Sequence, residues 1–110
     1  VCDFMNKKYK DGKVTHEMKY RYYNKRVKVK PEYHIVQTAV DAMNAVGVEP
    51  IVVPIRGGTD GSRLSYMGLP CPNLFAGGHN FHGKYEYIPL QSLEKSVEVI
   101  LKIIDLYANK

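Results

Sequence analysis

Residues 31–55, PEYHIVQTAVDAMNAVGVEPIVVPI, join a helical pattern to a β-branched run through one glycine, and that junction decides the fold class. Pro31 suits the first turn of a helix, where its missing N–H has no intrahelical partner to lose. Ile35, Val36, Ala39, Val40, Met43 and Val46 then recur at steps of three and four, so the spacing predicts a helix over 31–46. Gly47 can take the left-handed backbone that closes such a helix. The run IVVPI, residues 51–55, has the composition of a strand. Pro54 donates nothing to a ladder, so the strand lies at an edge or ends there.

Toward the N-terminus, residues 1–12 (VCDFMNKKYKDG) read as the tail of a helix stopping before Gly12. Residues 13–23 alternate, with Val14, His16, Met18, Tyr20 and Tyr22 on one face, as a half-buried strand does. Toward the C-terminus, RGGTDGSRLSYMGLP (56–70) is a glycine loop running into a brief helix that ends near Gly68. CPNLF (71–75) is a second short strand, and AGGHNFHGKYEYIP (76–89) a long glycine-rich loop. From Ser92, a plausible N-cap, the spacing of Leu93, Val97, Ile100, Ile104 and Tyr107 predicts a four-turn helix. Helices alternating with strands imply an α/β architecture, a sheet covered by helices.

Composition narrows the function classes. The chain has 110 residues, 45% of them hydrophobic, with no apolar run of the roughly 18 residues that a membrane span requires and no secretory pattern at its start. Cys2 and Cys71 lie far apart, which argues against a disulfide framework or a cysteine zinc site and fits a reducing cytoplasm. The net charge of +5 is uneven: residues 1–30 carry +7 and the rest −2. Tyr9, Tyr20, Tyr22 and Tyr23 interleave with that basic stretch, so a nucleic-acid or protein-interaction module is the competing reading. It leaves both glycine loops without a purpose, and an ordinary solvated strand face accounts for the charge; neither a nucleic-acid nor a membrane partner is expected.

The two loops follow strands, where ligands gather in open α/β sheets. Arg56-Gly57-Gly58-Thr59-Asp60-Gly61 combines a planar cation suited to a peptide carboxylate, backbone that can approach closely, a hydroxyl and a carboxylate. Neither a dinucleotide-binding glycine pattern nor a P-loop occurs, and Asp60 would repel phosphate. Ser62 and Ser65 lack a nucleophile-elbow context. The second loop places His79 and His82 three residues apart in a polar, flexible segment that can aim an imidazole at a zinc ion. One histidine does not make a site, because a catalytic zinc needs about three protein ligands.

The stretch 54–100, with RGGTDG, LSYMGLPCPN and GGHNFHGKYE in order, closely resembles the C-terminal part of the peptidase T family, from about Tyr22-Tyr23-Asn24 to the end of the chain. The resemblance implies a dinuclear-zinc aminopeptidase that cuts the N-terminal residue from tripeptides. Its α/β catalytic domain would be interrupted by a smaller α+β lid that mediates homodimerisation. Residues 1–23 would then belong to the lid and 24–110 to the catalytic domain. His82 falls on the family's last zinc ligand, and Arg56, Gly58, Thr59, Asp60 and Asn24 on substrate contacts. The base, the bridging carboxylate and the other ligands would lie upstream, leaving no catalytic residue here and no activity in these 110 residues alone. A related dipeptidase or aminoacylase is the nearest alternative.

Overall fold

The computed structural model describes residues 1–20 and 23–110. Among the described residues five α-helices form: α1 (Cys2–Lys8), α2 (Arg26–Val29), α3 (His34–Ala45), α4 (Asp60–Tyr66) and α5 (Leu90–Ala108), with a 3-10 turn at Lys30–Glu32 leading into α3. Pro31 sits in that turn, so the helix read over 31–46 is split into a 3-10 entry and an α-helical body. Gly47, at φ +74, closes α3 as expected, and the Val48 N–H reaches back to the Met43 carbonyl at 2.8 Å. α4 likewise ends before Gly68, at φ +102.

The main tertiary contact packs α3 against α5. Small residues allow it: α3 buries Thr38, Ala39 and Ala42, and α5 buries Ser96 and Val99, the last only 1% exposed. The stripe read from the sequence of α5 is a different one. Leu93, Val97, Ile100, Ile104 and Tyr107 all remain exposed, Ile104 at 60%. The helix is apolar on more than one side, and α3 covers only the face carrying Ser96 and Val99. Its start is also earlier than expected: Pro89 is the N-cap, and the Ser92 N–H donates to the Pro89 carbonyl inside the first turn instead of capping it.

The sheet is not formed among the described residues. Residues 13–20, 51–55 and 71–75 run without a ladder, and the one β-bridge among the described residues joins His79 to Tyr87. Tyr22, the last residue of the first expected strand face, lies outside the described residues. A strand's pattern records its tendency to pair but not its partner, and a ladder exists only when a second strand supplies donors and acceptors. Ile51 is accordingly 76% exposed, with Val52, Val53 and Ile55 also open. The radius of gyration is 20.3 Å, where a compact chain of this length has about 13 Å. The accessible surface is 9419 Å², against about 6,200 Å² for a compact protein of this size. The excess surface includes large apolar side chains, Ile51 to Val53 and Ile55 among them, that these residues do not cover for one another.

Candidate functional site

The loop carrying His82 is a closed hairpin. His79 and Tyr87 exchange both backbone bonds, at 2.8 and 3.2 Å, and their rings stack with centroids 5.1 Å apart. Inside this bridge the Gly83 N–H donates to the Asn80 carbonyl at 2.9 Å and the Glu86 N–H to the Gly83 carbonyl at 3.2 Å. Gly83 is required at the tip, since a Cβ there would stand 2.8 Å from the Asn80 carbonyl oxygen. At the root, Gly77 adopts φ +78 and lies so close to α5 that a Cβ would meet the Ser92 Cβ at 2.5 Å. The hairpin is thus anchored to the start of the longest helix.

His82 occupies the tip with left-handed backbone, φ +61, and an exposed side chain. Its N–H donates to Glu86 Oε2 at 3.1 Å, which ties the tip to the returning arm of the hairpin. The His79 ring is engaged by Tyr87, whereas the His82 side chain is exposed. No group of three or more His, Cys, Asp or Glu side chains able to hold a metal exists among the described residues. His82 therefore fits a zinc ion as one exposed imidazole donor, with the remaining donors to come from elsewhere.

The other candidate residues gather differently. Thr59 is the extended N-cap residue of α4, and its hydroxyl contacts Asn73 Oδ1 at 3.4 Å instead of capping the helix. Asp60 opens α4 and is exposed, as are Gly58 and Arg56, and Arg56 has no ion-pair partner among the described residues. Asn24 accepts the Arg26 N–H on its side-chain oxygen at 3.0 Å, and its carbonyl accepts the Tyr66 hydroxyl at 3.2 Å. Lys25 donates to the same Asn73 oxygen that Thr59 contacts. Asn24 and Thr59 are thereby drawn to one place, while the hydrogen bonds of the His82 hairpin close within residues 79–87. Sequence reasoning did not single out Lys25, Asn73 or Tyr66. The only signal was that Tyr66 and Asn73 fall inside the quoted LSYMGLPCPN string.

A sequence profile of peptidase family M20/M25/M40 matches residues 5–106, and the chain belongs to that family. Among its relatives, Peptidase T of Caldanaerobacter subterraneus subsp. tengcongensis is 60% identical over 110 residues, 100% of this chain and 27% of its own length. Peptidase T of Halothermothrix orenii is 62% identical over the same span, and Peptidase T of Parabacteroides distasonis 60%. The chain thus spans 27% of the length of the curated relatives it matches. No helix among the described residues is long and apolar enough to cross a membrane.

Proposed function

We propose that this chain is the C-terminal part of a zinc-dependent tripeptide aminopeptidase of the cytoplasm, homodimeric as a whole protein. The observation that carries the reading is the exposed imidazole of His82, raised on a strained, glycine-anchored hairpin within the string GGHNFHGKYE. Identity of about 60% to Peptidase T proteins over the whole chain supports it. Residues 1–23 would complete a lid and 24–110 the catalytic domain, whose sheet would be filled by sequence outside these residues; the exposed row 51–55 supports that arrangement.

Within that site, zinc when bound supplies Lewis acidity and a water of lowered pKa. His82 contributes a ring lone pair, and Glu86 fixes the backbone from which that ring projects. Arg56 pairs with the peptide carboxylate, the backbone of Gly58 allows close approach, and Thr59 and Asp60 line the same loop. Asn24 contributes from the lid junction. No base is assigned among these residues, so they do not turn over substrate alone. The test is hydrolysis by the whole protein of a tripeptide, a dipeptide and an N-acetyl amino acid, with and without a chelator. Chelator-sensitive release of the first residue from the tripeptide alone is expected. Preference for either other substrate would replace this reading with the dipeptidase or aminoacylase alternative.

A further inference from the structure

Lys25 stands where three stretches far apart in sequence meet. Its ammonium donates to Asn73 Oδ1, and that oxygen also lies 3.4 Å from the Thr59 hydroxyl. Gly61 presses against the same place: a Cβ there would be 3.4 Å from Lys25 Nζ and 2.9 Å from the Cys71 carbonyl oxygen. The segment bearing Lys25 is held on α4 independently of its ammonium. Tyr66 donates its hydroxyl to the Asn24 carbonyl at 3.2 Å, packs its ring 5.1 Å from that of Tyr23, and carries Lys28 Nζ 5.3 Å from its centroid.

A lysine at a surface ordinarily extends into water, since withdrawing an ammonium from solvent is unfavourable without partners. Lys25 is half-buried, and burial lowers its pKa below the usual lysine value, with the Cys71 thiol opposing that shift. Its donor is directed at a neutral amide oxygen whose other neighbour is the hydroxyl of the loop ahead of α4. A cation bonded to a neutral amide, with no carboxylate partner among the described residues, organises its neighbours and neutralises nothing.

We propose that Lys25 is a positioning residue for the peptide-binding loop: through Asn73 it fixes Thr59 and the start of α4, and so sets the register in which Arg56, Gly58 and Asp60 meet the substrate. The inference rests on the tripeptidase reading above. It predicts an effect on substrate binding and little effect on the chemical step, because Lys25 acts through Asn73 and Thr59.

The experiment uses the whole protein carrying Lys25→Met, Lys25→Gln, Asn73→Ala and the Lys25→Met/Asn73→Ala double substitution. Losing a hydrogen bond to a charged group corresponds to about a tenfold change, so each of Lys25→Met and Asn73→Ala should raise KM for a tripeptide about tenfold and leave kcat within about twofold. Lys25→Gln, which keeps an N–H donor, should stay within about threefold of wild type, and the double variant should be no worse than about tenfold because one connection is lost either way. A double variant near a hundredfold, or a loss confined to kcat, overturns the proposal.

Amide exchange at 59–62 supplies a readout independent of turnover, and Lys25→Met should accelerate it about tenfold. If the wild-type protein cleaves no tripeptide, the tripeptidase reading fails and exchange decides this inference alone, with unchanged protection overturning it. If Lys25→Met does not fold, Asn73→Ala removes the shared acceptor and is judged by the same outcomes.

Discussion

Glu86 accepts the backbone N–H of His82 at 3.1 Å across the tip of the hairpin, which fixes the amide of His82 and leaves its imidazole exposed. The residue held this way has φ +61, a region that costs a non-glycine residue about 1–2 kcal/mol. Glycine carries no such cost, and the chain uses it for the left-handed position at the root of this hairpin, Gly77 at φ +78. A histidine held in strained backbone, with a carboxylate bonded to its amide, supports the role proposed for its imidazole.

Glycine at position 82 should therefore separate stability from activity. Measured on the zinc-free whole protein, His82→Gly relieves the left-handed strain and should leave it as stable as wild type or up to about 1 kcal/mol more stable, while the zinc-loaded variant loses tripeptide hydrolysis. Urea unfolding beside steady-state kinetics checks both halves. A large loss of stability would mean the ring packs structurally.

The anchor of the hairpin gives a second expectation. Gly77→Ala adds a Cβ at φ +78 and forces it against Ser92 Cβ, at 2.5 Å before any shift. The combined strain and overlap should destabilise the whole protein by about 1–3 kcal/mol. Ser92→Gly in the same chain should recover only part of the loss, since it removes the contact at 2.5 Å and leaves the backbone strain and the Ser92 carbonyl group at 3.2 Å. Thermal unfolding of the two variants measures this.

How much of this could be read from the chain depended on the range of the interactions. The helix around Ile35–Met43 and its stop at Gly47 were legible because helical bonds join residues four apart, so the pattern contains its own partners. The stripe Leu93–Val97–Ile100–Ile104 was legible as a helix but not as a surface. Its periodicity does not say which neighbour covers it, and α3 packs on Ser96 and Val99 instead. The strand at 51–55 has the right composition and no ladder among the described residues, because pairing is not local. The histidine-bearing turn was visible from its glycines. The Lys25–Asn73 contact spans 48 residues and left no mark in spacing.

Near the end of α5, the Asp105 carboxyl is held below its ordinary 3.8 by the hydrogen bond from Lys102 and by that residue's charge, with a further bond from Asn109; desolvation opposes them. A lowered folded pKa means the fold favours the carboxylate. Its contribution is complete above about 3.8 and is lost as pH falls through the folded value. Carboxyl NMR titration should find Asp105 below 3.8 in the wild-type protein and closer to it in Lys102→Met. An unmoved titration would show that the Lys102 contact, at 2.7 Å, has no energetic consequence.

The 110 residues purified alone should behave as an incomplete core. With Ile51, Val52, Val53, Leu101 and Ile104 exposed, they should bind a hydrophobic dye, associate as concentration rises and hydrolyse no tripeptide. Sedimentation across a concentration series tests the association. A monodisperse monomer with a sharp unfolding transition would show that these residues complete a core among themselves.

The most direct measurement is zinc content with X-ray absorption on the whole protein and its His82→Gln variant. The account predicts two zinc ions per chain in the wild type, and in the folded variant the loss or weakening of one together with one imidazole nitrogen from its coordination. An unaltered zinc content and unaltered tripeptide hydrolysis in His82→Gln would contradict it.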